Sequence, residues 1–151
     1  MGFPESETDV FAHESRVRDL YAERLPSLRP RELVAQREVR YANSLIRADL
    51  RTLDEDNVIR EWEFKLQADY RALGQVLSYL AQAKLEFTFE RTVTGVIAAF
   101  SIPPEIRLAV QVNNLGIELV EIPAWMRLGG AAPSQEPPRI VVIPALGPSA
   151  N

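Results

Sequence analysis

Apolar residues recur at helical spacing at Val10, Val17, Leu20 and Tyr21, and Ser6 with Asp9 ahead of them forms a capping-box pattern. A first helix is therefore predicted from near Thr8. Pro26 and Pro30 bracket a connection in which it must end, by about Leu25, because proline removes a backbone donor and restricts the residue before it. From Val34 the period changes to two, which predicts strands over Ala35 to Tyr41, Ser44 to Leu53 and Val58 to Leu66, the last two joined by a turn at Asp54-Glu55-Asp56-Asn57. Ala68 to Leu85 returns to helical spacing, with Tyr70, Leu73, Leu77, Leu80 and Ala81 on one face. Thr92 to Phe100 is short, apolar and rich in β-branched residues, as in a buried strand. Pro103 and Pro104 open a third helix that Gly116 closes, and Ile117 to Ile122 forms a last strand ending at Pro123. The order helix, three strands, helix, strand, helix, strand predicts an α/β class with a mixed central sheet flanked by helices.

This pattern divides the chain into a flexible N-terminus (1–7), one domain (8–127) and a tail rich in Gly, Ala and Pro (128–151). Within the tail, Arg139 to Leu146 has the composition to add a strand to a sheet, its own or a partner's. With 151 residues, 46% of them hydrophobic, the chain supports one core. It has no cysteine and a single histidine, His13, which excludes disulfides, thiolate chemistry and multi-histidine zinc sites. No apolar stretch approaches the length of a membrane span and no signal pattern opens the chain, so a soluble, cytoplasmic protein is expected. A net charge of -4 argues against a general nucleic-acid coating protein, since that binding is driven by clustered cations.

The chemistry concentrates in the second and third predicted strands. Period two puts Arg47, Asp49 and Arg51 opposite the apolar Ile46, Ala48 and Leu50, and gathers Ile59, Glu61, Glu63 and Lys65 on one face. If the acidic turn makes these strands a hairpin, Asp49 and Glu63 lie near one another, although sequence does not set their register. Two ionised carboxylates that close repel, a penalty that a hard divalent ion would relieve. An isolated E-x-K is more often a solvated polar face, so spacing alone does not make the case.

The whole segment, however, resembles the PD-(D/E)XK (restriction-endonuclease-like) nuclease superfamily. The resemblance runs through Arg47-Ala48-Asp49-Leu50 and Glu61-Trp62-Glu63-Phe64-Lys65-Leu66 to Ala72-Leu73-Gly74-Gln75-Val76-Leu77-Ser78-Tyr79-Leu80, and covers roughly Thr8 to Ile122. It implies that Asp49 and Glu63 are acidic metal ligands, with Lys65 as the catalytic lysine. Ala48 replaces the proline that often precedes the aspartate. Gln75 and Tyr79 resemble the Gln-x-x-x-Tyr helix motif of the RecB-like branch, whose glutamine and tyrosine face the active site, and Arg71 shares their helical stripe. Glu14, at the edge of the first helix's apolar stripe, matches a first-helix glutamate that many members place near the metal.

By this resemblance the chain is expected to be a nuclease that hydrolyses phosphodiester bonds of DNA through a water activated by Mg²⁺ or Mn²⁺. Asp49, Glu63, Lys65 and Gln75 would be catalytic, Asp49, Glu63 and Glu14 metal-binding, and Arg47, Arg51, Arg71 and Tyr79 in contact with nucleic acid. Arg16, Arg37 and Arg40 add further cations on the same elements. Cutting both strands would need a homodimer or a second active partner. The contrasting reading is a nuclease-fold module with weak or no catalysis, binding nucleic acid or protein, with the C-terminal tail as a route to a protein partner. A ribonuclease, or a subunit working only inside a larger complex, is the third.

Overall fold

The computed structural model describes residues 7–127 and 142–143. Helix α1 (Glu7–Glu23) is followed by a single helical turn α2 (Leu25–Leu28), then strands β1 (Glu32–Arg40), β2 (Arg47–Asp54) and β3 (Ile59–Gln67). Helix α3 (Tyr70–Glu86), strand β4 (Val93–Ser101), helix α4 (Pro104–Asn113) and strand β5 (Ile117–Glu121) complete the predicted order, and β6 (Val142–Ile143) follows. The strands form one six-stranded sheet in the order β1-β2-β3-β4-β5-β6. The first three are antiparallel, β3–β4 and β4–β5 are parallel, and β6 runs antiparallel to β5. The fold is α/β with a mixed sheet, as the element order predicts.

The two faces carry two cores. On one, α3 and α4 bring Val76, Leu80 and Val110 onto Ile59, Ile97 and Leu119. On the other, α1 and α2 bring Val17, Tyr21 and Leu25 onto Trp62, Phe64, Val96 and Val120. Strand β4 lies between both layers, which is why its sequence is almost continuously apolar. Gly95 lets α3 approach it: a Cβ there would sit 2.3 Å from Val76 Cγ1. In the α1 layer, Trp62 and Phe64 stack and Tyr21 packs tilted against both, with centroids 5.4 to 5.7 Å apart, and Trp62 Nε1 donates to Thr52.

Several boundaries differ from the sequence expectation for identifiable reasons. Pro26 does not simply end the first helix; it sits in the first turn of α2, where its missing N–H costs nothing. β1 starts at Glu32 rather than Ala35, because Glu32 is buried by the Thr52 hydroxyl and the Arg29 and Arg60 guanidiniums. α4 ends at Asn113, with Asn114 in the left-handed region (φ 53°), so asparagine takes the capping role expected of Gly116. α3 starts at Tyr70 rather than Ala68, because Asp69 caps it, its carboxylate accepting from the Ala72 N–H at 2.7 Å. The tail expected from Leu128 lies outside the described residues except at 142 and 143, where it does pair as a strand.

Candidate active site

The hairpin turn is built as its sequence suggests. Asp54 Oδ1 accepts from the N–H groups of Asp56 and Val58, and Asn57 takes a positive φ. The resulting register pairs Leu53 with Ile59 and Leu50 with Trp62, and the β2–β3 ladder stops there. Just beyond, the Phe64 N–H donates to Asp49 Oδ2 at 2.8 Å, so a carboxylate takes the place of a ladder carbonyl where the strands part. Period two sends Glu61 and Glu63 toward α3. There the Tyr79 hydroxyl donates to Glu63 Oε2 at 2.6 Å, and Lys65 Nζ lies 3.4 Å from Glu63 Oε1. From the α1 side, Arg18 Nη1 comes within 3.8 Å of Asp49 Oδ1 and 3.7 Å of Glu38. The Asp49 side chain is 25% exposed and that of Lys65 18%, so the cluster opens to solvent at its outer edge.

The electrostatics follow from this crowding. Burial, reinforced by the Asp49 charge, pushes the Glu63 carboxyl up to about 7 against the opposing pull of the Tyr79 hydroxyl and Lys65. Asp49 is also held above its ordinary range, chiefly by burial, with the Phe64 N–H, Arg18 and Lys65 acting the other way and Glu14 adding to the rise. The Tyr79 hydroxyl is raised by burial and by Glu63, which keeps it protonated as a donor.

The acid pair joins a partly exposed Asp49 to a buried Glu63 and offers carboxylate oxygens without imidazole or sulfur. That set suits a hard divalent ion, which takes one or two protein carboxylates and completes its shell with water and substrate oxygens. Among the described residues no group of three or more Asp, Glu, His or Cys side chains gathers to hold a metal.

The other sequence-nominated residues divide clearly. Glu14 reaches this end of β3: its Oε2 accepts the Leu66 N–H at 2.8 Å, and its charge bears on Asp49. Gln75 is half-buried, and its Oε1 is enclosed with no hydrogen-bond partner among the described residues. Tyr79 is 2% exposed and its hydroxyl holds Glu63. Arg51 is 8% exposed, with Nε 2.6 Å from Glu61 and Nη1 2.8 Å from Glu86. Arg47 and Arg71 are exposed. Sequence reasoning overlooked Arg18, although it stands one turn beyond Glu14 on the same helix. It also left Tyr41 without a role. The Tyr41 hydroxyl donates to Glu61 at 3.0 Å, and its ring stacks on Tyr79 at 6.2 Å. His13 is buried.

A hollow of about 370 Å³ lies at the other end of the hairpin, lined by Arg29, Arg31, Glu32, Asp54, Asp56 and Arg60. Its charges neutralise one another, Arg60 bridging Asp54 and Glu118 and Arg29 pairing with Glu32 and Glu118. It has no part in the carboxylate site.

The chain is an α/β domain with an acid pair carried on two neighbouring strands of its mixed sheet. Solved structures share the fold: EndoMS bound to double-stranded DNA (TM-score 0.60, 20% identity, covering 78% of this chain and 47% of that one) and a repair endonuclease from Pyrococcus abyssi (0.57, 20%, 81% and 49%). EndoMS in its apo form is similar too (0.55, 20%, 80% and 48%). The chain spans about half the length of these structures. No protein-family model and no curated protein sequence matches the chain. No helix among the described residues is long and apolar enough to cross a membrane.

Proposed function

We propose that this domain is a metal-dependent nuclease of the PD-(D/E)XK type that hydrolyses phosphodiester bonds of DNA. The observation that carries the reading is the meeting of Asp49 and Glu63 at the end of the β2–β3 ladder with Lys65 beside them. Asp49 and Glu63 would hold Mg²⁺ or Mn²⁺. When bound, the ion supplies activation of water and neutralisation of charge on the phosphate. Asp49 is fixed by the Phe64 N–H and Glu63 by the Tyr79 hydroxyl, so both carboxylates are aimed before any ligand arrives. Lys65 Nζ stands at the open edge, where an ammonium stabilises negative charge developing on a phosphate oxygen. The DNA-bound state of one similar structure accords with a DNA substrate.

A second reading is a nuclease-fold module without turnover. It is favoured by the fact that Tyr79 and Lys65 already partner Glu63 while Phe64 and Arg18 partner Asp49. Incubating the protein with single-stranded, duplex and branched DNA in Mg²⁺ and in Mn²⁺ separates the two. We expect cutting that falls on the order of 10²–10³-fold in Asp49→Asn and Lys65→Ala, with folding intact. Absence of cutting on every substrate, or cutting unaffected by both changes, defeats the nuclease reading.

A further inference from the structure

The β1–β2 hairpin has two ends that treat their cations differently. At the end near the Asp54 turn, Arg31 is matched by Glu55 at 3.0 Å and Asp56 at 3.7 Å, and Arg60 by Asp54. At the end near Asp49, Arg40 and Arg47 are direct cross-strand partners. Such partners hold their side chains side by side, and like charges placed so destabilise a sheet. Both arginines are exposed, and among the described residues neither has a carboxylate within ion-pair distance. The neighbouring acids are engaged elsewhere: Glu38 approaches Arg18, and Asp49 is held by Phe64 and Arg18. The turn between the arginines presents Leu45 fully exposed, so nothing in the described chain covers this end of the hairpin.

We propose that Arg40 and Arg47 form a two-guanidinium clamp for the DNA backbone, gripping a phosphate adjacent to the one presented to Asp49, Glu63 and Lys65. An anion between two guanidiniums converts their repulsion into two charge-assisted contacts, and guanidinium geometry matches phosphate oxygens bidentately. Arg47 stands two residues before Asp49 on the same strand, so the clamp and the carboxylate pair are fixed to one another by β2. The clamp carries no sequence information; it positions the strand. This inference rests on the nuclease reading for its substrate, but not for its test.

The test is binding of a duplex oligonucleotide in EDTA, where no cutting occurs, followed by anisotropy across a KCl series. For Arg40→Gln/Arg47→Gln we expect binding weakened about tenfold near 0.1 M salt, and a slope of log K against log salt shallower by roughly 1 to 2. Arg40→Lys/Arg47→Lys should keep most of the slope, and Arg31→Gln, at the neutralised end, should leave it unchanged. Because the clamp is a repulsive pair without DNA, the glutamine variant should melt no lower than the parent protein. A slope equal to that of the parent, a loss as large in Arg31→Gln, or no salt-dependent DNA binding by the parent protein overturns the clamp. The nuclease reading is judged separately, by cutting in Mg²⁺: clamp failure with cutting retained leaves that reading standing, and cutting absent with the slope change present leaves the clamp on a non-cutting domain.

Discussion

Glu61 and Glu63 lie one pleat apart on β3, face the same helix and are each pushed up to about 7 by burial, yet they do opposite work. Glu61 is fully enclosed, with Arg51 Nε at 2.6 Å and the Tyr41 hydroxyl at 3.0 Å, so its charge is matched inside the fold. Glu63 is buried beside the partly exposed Asp49 and Lys65, faces the Asp49 charge, and has only a hydroxyl and an ammonium 3.4 Å away to offset it. The same residue type two positions along is thus a structural ion-pair member in one case and an unresolved excess of negative charge in the other. What separates them is the cross-strand partner: Arg51 stands opposite Glu61 in the ladder, whereas the ladder ends before Glu63.

The sharpest way to break the contrast is to strip Glu61 of its cation. Arg51→Met leaves a carboxylate enclosed without its charge partner, and breaking such a pair costs about 3 kcal/mol. For a domain of this size that is a fall in Tm of roughly 10 °C, read by thermal melting. Tyr79→Phe acts on the other acid. It removes the 2.6 Å bond to Glu63 Oε2, with a cost of about 1–2 kcal/mol. That bond holds the Glu63 carboxyl down, so its loss moves the acid limb of the pH–rate profile to higher pH, a shift a purely structural change would not give.

The smallest effect has the opposite sign. Glu63→Gln keeps an oxygen for the Tyr79 hydroxyl but removes the repulsion from Asp49, so the metal-free variant should be more stable at pH 8 by about 1 kcal/mol, roughly 3 °C in Tm. The pH dependence follows from the same shift. With folded-state values near 7 against an ordinary 4.5, the fold retains protons that the unfolded chain has already released. The stability tied to Glu61 and Glu63 is therefore complete below about 4.5 and is lost as pH rises through about 7. Melts from pH 4 to 8 should show that decline in the metal-free protein and a shallower one in Glu63→Gln.

Much of this contrast is legible in the amino-acid sequence. The two-residue period of Ile59 to Lys65 puts both glutamates and the lysine on one face, and the Asp54 to Asn57 turn makes β2 and β3 neighbours. The Gln75 and Tyr79 spacing likewise marks the α3 face that meets them. What stayed hidden was register. Arg47 and Arg51 look equivalent in sequence, both on the polar side of β2, and only the pairing of Leu53 with Ile59 decides that Arg51 falls against Glu61 while Arg47 stays at the exposed end. Glu14 was found as a candidate, but the backbone donor it satisfies, the N–H of Leu66, depends on how α1 crosses the sheet, which no local pattern encodes. The spacing of Tyr79 marks its helix face, but its bond to Glu63 is a property of packing that spacing does not encode.

Thermal melting at pH 8 with and without Mg²⁺ or Mn²⁺ tests most directly the proposal that a divalent cation relieves the charge left unmatched at Asp49 and Glu63. At about ten times its dissociation constant an ion bound only to the folded state adds about 1.4 kcal/mol, a rise in Tm of roughly 3–5 °C. The account predicts that rise in the parent protein and its loss in Glu63→Gln, even though that variant is the more stable of the two without metal. A parent protein whose melting is unmoved by millimolar Mg²⁺ and Mn²⁺, or a Glu63→Gln variant that gains as much as the parent, would contradict it.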